Sequence, residues 1–283
     1  MMELYDDVSY KVSKLLTNKY STSFSLGIKA FTPEYREPIY AIYGFVRLAD
    51  EIVDTFHDHD KKYLLDQLRT ETFEAINRKI STNPIIQSFQ LTVNKYKIDH
   101  KLITAFLDSM EMDLTKSNYG RVVYDQYIYG SAEVVGLMCL KIFVQGNQEH
   151  FNTLLHSAKM LGSAFQKVNF LRDIKSDIDE RGRIYIPDIH SSGEINDTSK
   201  KELEKEIENE FKQSLEGIFK LPAGVKLGVY SAYLYYYVLF KKIQGLNINE
   251  LLKKRVRVSN FHKLALLIKS YWKIKVLRLN EIY

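Results

Sequence analysis

Apolar residues recur along most of this chain at the three- and four-residue spacing of a helix face, with polar residues between them. Thr32-Pro33-Glu34 reads as N-cap, first-turn proline and acidic first turn. Ile39, Ile42, Val46, Ala49 and Val53 carry that helix forward until His57-Asp58-His59-Asp60 ends it. The spacing predicts further helices over about residues 63–80, 84–96 and from an Asp99 cap to about Thr115. Residues 123–147 read as one strongly apolar helix closed by Gly146-Asn147. A long helix comes next over 149–179, then a loop from Gly182 to about Lys200, then helices over 199–219, 223–243 and 260–280.

Only 13 Gly and 5 Pro interrupt 283 residues, which leaves few breaks for hairpins and favours an all-α protein. No repeat, low-complexity tract or linker divides the pattern, so one domain over 1–283 is expected. No stretch reaches the roughly 18 to 20 uninterrupted apolar residues of a membrane span, and the N-terminus lacks a signal-peptide pattern. The lone Cys139 excludes an internal disulfide and reads as a buried, inert thiol, in keeping with a cytoplasmic location. A net charge of +5 is too small to imply nucleic acid. From Glu250 onward, however, nine Lys/Arg face two Glu.

The chemistry begins with acid pairs in unlikely places. A chain of this length holds about one Asp-x-x-x-Asp by chance; this one holds Asp50/Asp54, Asp54/Asp58 and Asp173/Asp177. Asp58 lies in a polar exit and reads as solvated. On a helix, Tyr43, Arg47, Asp50 and Asp54 fall within about 60° of arc, and Gln166, Asn169, Asp173 and Asp177 within about 80°. Each stripe ends in a like-charge i, i+4 pair, which destabilises an isolated helix by roughly 0.2 to 0.5 kcal/mol. Two such pairs suggest cations between two helices. Aspartate oxygens without clustered His or Cys favour a hard ion such as Mg²⁺, which completes its shell with water and phosphate oxygens. A phosphate ester is therefore the expected ligand, with Arg47 and Arg172 or Arg183 neutralising the rest of its charge. Two solvated faces with accidental aspartates are the plain alternative. A di-iron bundle is disfavoured because Glu-x-x-His is absent.

With these residues in view, the chain resembles the phytoene/squalene synthase family, the trans-isoprenoid head-to-head synthases, and most of all bacterial phytoene synthases. Asp-Glu-Ile-Val-Asp at 50–54 matches the first acidic motif, and residues 169–187, NFLRDIKSDIDERGRIYIP, match the second with its Arg-x-Tyr tail. YSTSFSLG matches the serine segment, with Tyr20 where a histidine is common. AIYGFVRLAD and YIYGSAEVVGLM match two more helices, with Glu133 in place of a frequent glycine; KKRVRVSNFHKL is a weaker match.

The resemblance implies a helical isoprenoid-synthase bundle around a deep central cavity, and condensation of two prenyl diphosphates through a cyclopropyl diphosphate. It implies Mg²⁺, with Mn²⁺ able to substitute, on Asp50, Asp54, Asn169, Asp173 and Asp177. Diphosphate contacts are implied for Ser21, Ser23, Arg47, Gln166, Asn169, Arg172, Arg183, Tyr185 and Arg255. Tyr43, Tyr127 and Tyr129 are the candidates to line the cavity and face a carbocation. Phytoene from two C20 units, without NADPH and upstream of a carotenoid desaturase, is the expected product; squalene or dehydrosqualene from two C15 units is the alternative. A class I terpene cyclase is disfavoured because Asn169, Asp173 and Asp177 form the condensing-enzyme pattern. A non-enzymatic adaptor would have no use for four stacked carboxylates. The C-terminal helix sets Leu264, Leu267, Ile268, Tyr271 and Trp272 apart from Lys269, Lys273, Lys275 and Arg278. It suits either peripheral docking on an anionic membrane or packing on the bundle.

Overall fold

The computed structural model describes residues 1–189, 191 and 194–276, with the side chains of residues 22, 23, 260, 275 and 276 left aside. The expected end of the C-terminal helix with Arg278, and the side chains of Ser23 and Lys275, therefore lie outside the described residues.

The fold is all-α, and the only β pairing among the described residues is an isolated bridge, Asn118 to Ile184. Helix starts obey local chemistry. Helix α3 (Pro33–Asp54) opens on Pro33 and Glu34, although Thr32 donates its hydroxyl to Glu34 (2.7 Å) rather than capping an amide. Asp60 caps α4 (Lys61–Arg78) by accepting from the Tyr63 amide at 2.9 Å, and Asp99 caps α6 (His100–Thr115) through the Lys101 amide at 2.9 Å. Asn83 caps α5 (Pro84–Tyr96), and Asn147 caps the 32-residue α9 (Gln148–Asp179). Two helices not foreseen, α1 (Met2–Tyr20) and α2 (Thr22–Lys29), precede them. The chain continues through α10 (Asp197–Lys220), α11 (Ala223–Gln244), the short α12 (Ile248–Leu251) and α13 (Asn260–Tyr271).

Residues 123–147 depart from the single helix expected. They form α7 (Arg121–Ile128), a π-helical turn (Tyr129–Glu133) and α8 (Val134–Phe143). Gly130 lets the turn sit directly on α6: a Cβ there would lie 2.5 Å from the Ala105 carbonyl oxygen. The extra residue in the turn rotates the side chains away from the directions a continuous α-helix would give them.

Helix α9 is the central strut, packed most extensively on α10 and also on α8, α11 and α12. Two apolar clusters flank the interior. One centres on Phe45, stacked on Phe89 at 3.9 Å, with Phe106 beside them. The other centres on Phe211, Tyr233 and Phe240. Burying one such phenylalanine contributes about 1.5 to 3 kcal/mol. Val229 packs against both clusters, which meet around the cavity.

Helix α13 packs on α11 through a half-buried face that includes Leu266, Leu267 and the buried Ser270. Phe261, Leu264, Ile268, Tyr271 and Trp272 stay more than half exposed. No described helix is long and apolar enough to cross a membrane.

Candidate active site

A cavity of about 1050 Å³ runs between the two clusters, at the large end for a small-molecule site. Two helices define its chemistry. Along α3 the lining residues are Ile39, Tyr43, Val46, Arg47, Asp50 and Asp54; along α9 they run from Leu154, Ala158, Leu161 and Phe165 to Gln166, Asn169, Asp173 and Asp177. Both walls thus change from apolar to acidic toward their C-terminal ends. The acidic ends meet: Arg181 reaches Asp54 at 3.3 Å and Asp177 at 3.0 Å, tying the two motifs together. Helix C-termini carry partial negative charge, so the macrodipoles add to the demand for cations at this end.

The carboxylates respond accordingly. Burial raises Asp50 to about 7, with Arg47 opposing and the neighbouring Asp54 and Asp113 reinforcing the rise. Burial likewise raises Asp177 to about 7, helped by Asp173 and Asp54 and opposed by Arg181. Asp173 is different. Burial pushes it upward, but hydrogen bonds from Arg172 (2.9 and 2.5 Å) and Arg255 (2.6 and 3.2 Å) outweigh burial and hold it below its ordinary value. Arg183 donates to Asp54 at 2.8 Å and to the Val53 carbonyl at 3.4 Å. Arg47 pairs with Glu51, lies 3.9 Å from Asp50 and covers the Tyr20 ring; its Nε is buried without a hydrogen-bond partner. Arginines thus occupy carboxylate oxygens at one end of a greasy cavity.

Most of the other expected residues also line the cavity. Gln166 accepts from Asn169 (3.3 Å), and Asn169 accepts from the Tyr236 hydroxyl (3.2 Å). Ser21 caps α2 and hydrogen-bonds Tyr43, whose ring packs on Phe24 at 4.9 Å. Tyr127, Tyr185 and Arg255 line the cavity. Cys139 also lines it, with burial pushing its thiol up to about 12, so it stays protonated.

Tyr129 is a correction: it does not line the cavity. The π-helical turn gives the lining positions to Tyr127, Ser131, Ala132 and Val135, while Tyr129 packs on the core beneath the Lys159 ammonium, 5.2 Å from its ring. Glu133, in the position of a frequent glycine, also turns to Lys159 (3.0 Å) and stays out of the cavity.

Three participants escape a reading of the sequence. Arg181 continues the Asp173, Asp177 stripe by one more i+4 step, a signal present in the chain. Asp113 comes after Phe106 and Met110 on the apolar face of α6, where a lone acid marks a buried charge. Tyr236 lies in a tyrosine-rich helix that gives no hint of which ring faces inward.

The donor set fits a hard divalent ion in one respect. Among the described residues no three Asp, Glu, His or Cys side chains converge on one point. Asp50, Asp54, Asp173 and Asp177 are hard oxygen donors lining one end of the cavity, a donor set that an oxygen-preferring divalent ion can share with phosphate oxygens and water.

The fold matches solved structures closely. A crystal structure of a dehydrosqualene synthase in complex with ligand superposes with TM-score 0.80 at 21% identity, covering 96% of this chain and 98% of that one. Squalene synthase HpnC from Alicyclobacillus acidocaldarius gives 0.74 at 19% identity, covering 86% and 95%. The architecture is therefore that of the helical isoprenoid synthases. The squalene/phytoene synthase family model matches residues 17–262, and the chain belongs to that family. Curated relatives include a chloroplastic phytoene synthase of Narcissus pseudonarcissus, 28% identical over 90% of this chain and 64% of its own length. Phytoene synthase 2 of Solanum lycopersicum is also 28% identical, over 89% of this chain and 86% of its own. The chain spans roughly two thirds of the length of the first plant relatives it matches, between 64% and 66%.

Proposed function

We propose that this chain condenses two prenyl diphosphates head to head, through a cyclopropyl diphosphate, and that the product is phytoene from two geranylgeranyl diphosphates. The observation that carries the reading is the meeting of the α3 and α9 aspartate pairs at the polar end of one long apolar cavity. Family membership supports the reaction class, and the phytoene synthases among the relatives support the C20 substrate.

One domain, 1–283, carries the site. Asp50, Asp54, Asp173 and Asp177, with Asn169, would hold Mg²⁺, for which Mn²⁺ can stand in. When bound, the ion takes up charge developing on the departing diphosphate. Arg172, Arg181, Arg183 and Arg255 currently pair with the aspartates. On substrate binding they turn to phosphate oxygens, for which the guanidinium fork is well matched. Arg47, Ser21, Ser23 and Gln166 complete the diphosphate contacts. The apolar walls, including Phe165 and Val229, hold the prenyl chains and keep water from the carbocation. Tyr43 and Tyr127 present ring faces to it.

The chain works in the cytoplasm, with α13 resting on the membrane and the product passing to a desaturase. Support for the docking comes from the five large apolar side chains exposed on α13 and its π-helical extension, among Lys253, Lys254, Arg255, Arg257, Lys263, Lys269 and Lys273, with no acid between residues 251 and 273.

The test is to incubate the purified protein with Mg²⁺ and geranylgeranyl or farnesyl diphosphate, with and without NADPH, and identify the hydrocarbon. A C40 triene without NADPH is expected. A C30 product would move the assignment to squalene or dehydrosqualene, and a cyclic product from one substrate molecule to a cyclase.

A further inference from the structure

Asp113 is the most thoroughly enclosed charge at the cavity wall, its side chain only 4% exposed. Three phenol hydroxyls converge on its two oxygens: Tyr119 (3.0 Å) and Tyr185 (2.8 Å) donate to Oδ1, and Tyr127 (2.8 Å) donates to Oδ2. The Arg183 guanidinium stands 3.8 Å from Oδ1. Burial raises the Asp113 carboxyl above its ordinary value, and three hydroxyl protons and a cation directed at its two oxygens oppose that rise.

The rings form a stack behind it. Tyr185 lies flat on Phe170, with centroids 4.3 Å apart and planes within 5°, and Tyr119 and Tyr127 each sit 5.2 Å from Tyr185. The stack fixes the phenols in position, and Asp113 fixes the direction of each O–H. A phenol has one donor and two lone pairs. Tyr127 and Tyr185 both line the cavity, and both donate to Asp113 while their hydroxyls also lie in hydrogen-bonding reach of each other. Tyr185 also accepts from Arg183 at 3.3 Å. A guest in the cavity therefore meets ring faces and phenol oxygens whose protons are drawn toward Asp113 and the neighbouring phenols.

We infer that Asp113 is a positioning residue for the condensation proposed above: by accepting the hydroxyls of Tyr127 and Tyr185 it turns that wall into a fixed, electron-rich surface for the carbocation. Preorganised dipoles aimed at developing charge act in the transition state more than in substrate binding. Before substrate binds, Arg183 is held by Asp54 and the Val53 carbonyl as well as by facing Asp113, so its direct hydrogen bonds do not depend on Asp113. An asparagine at 113 keeps the shape but offers an NH₂ where a second acceptor stood. At least one phenol must then turn its donor elsewhere.

The inference rests on the condensing-enzyme reading, and one set of measurements distinguishes the two. Wild type, Asp113→Asn, Tyr127→Phe/Tyr185→Phe and the triple variant are assayed with geranylgeranyl diphosphate and Mg²⁺, alongside calorimetric binding of inorganic pyrophosphate with Mg²⁺. For Asp113→Asn, kcat is expected to fall about 100-fold. KM and pyrophosphate affinity are expected to stay within about threefold of wild type. Adding Asp113→Asn to the double phenylalanine variant should cost less than about threefold further, because the residue acts through the two hydroxyls. An unchanged kcat in folded Asp113→Asn, a loss confined to KM and pyrophosphate binding, or full multiplication of effects in the triple variant would each overturn the inference. Wild-type turnover with an unaffected Asp113→Asn removes the inference alone; no wild-type turnover removes the reading and the inference with it. Should Asp113→Asn fail to fold, Tyr127→Phe decides: a lowered kcat at constant KM supports the inference, and an unchanged kcat overturns it.

Discussion

Raising the pH of the metal-free protein from 5 to 8 should destabilise it, and Asp177 lets the size of the effect be worked out. Its carboxyl is raised to about 7 by burial and by Asp173 and Asp54, and its side chain is only 11% exposed. In the unfolded chain an aspartate titrates near 3.9, so between these values the folded state holds the extra proton. Where the folded state binds more protons, stability falls as pH rises. For one group shifted in this way, the loss between pH 5 and 8 is roughly 2 to 3 kcal/mol. That corresponds to roughly 3 to 5 °C in Tm for a chain of this size. Asp50, also raised to about 7, acts in the same direction, but its side chain is 34% exposed and solvent screening reduces its share. The assay is thermal melting across pH 5 to 8 in EDTA for wild type and Asp177→Asn. The variant should lose most of the slope, and Mg²⁺ with pyrophosphate should flatten the wild-type curve by making the charged carboxylates the favoured form. A wild-type Tm that is level or rises over this range, with Asp177→Asn unchanged in slope, would refute the electrostatic description of the site.

Asp50→Asn and Asp173→Asn should each abolish turnover while leaving the far-ultraviolet circular dichroism and the cooperativity of melting intact; near-normal activity in either would remove the metal role. Arg181→Gln leaves Asp54 and Asp177 without the guanidinium that joins them, so its Tm in EDTA should drop. Added Mg²⁺ should then raise Tm by more than in wild type, because binding to the native state stabilises by mass action; equal metal-induced shifts would count against Arg181 as a stand-in cation. Gly162→Ala should cost about 1 to 3 kcal/mol in chemical denaturation, since its Cβ would lie 2.8 Å from the Ala132 carbonyl oxygen where α9 meets the π-helical turn; a neutral result would mean the two segments part easily.

Much of this architecture can be read from the chain because its signals are local. Asp99 caps where its sequence position suggests, whereas Asn147, expected to close the apolar helix, instead starts α9; the two acidic stripes need only helical periodicity to appear. The features that escape depend on distant partners. The π-helical turn at Tyr129–Glu133 arises from Gly130 lying against α6, a contact between segments about 25 residues apart that periodicity cannot register. The tyrosines also illustrate the limit: with 20 in the chain, composition cannot say which face the cavity. Asp113 is the instructive miss. A lone acid on an apolar face costs free energy unless partners are supplied, and here they come from α7 and from the loop after α9, invisible until the chain is folded. Arg181 differs, because its i+4 spacing from Asp177 is in plain sight but its charge is opposite to that of the stripe it extends.

The most direct measurement of the condensing role is the stoichiometry of turnover with geranylgeranyl diphosphate in Mg²⁺, without NADPH, counting inorganic pyrophosphate against hydrocarbon. Two pyrophosphates released per C40 triene, and none in EDTA, is the expected result. One pyrophosphate per C20 product, or release that persists without a divalent ion, would contradict the assignment of the two aspartate pairs to a single two-substrate site.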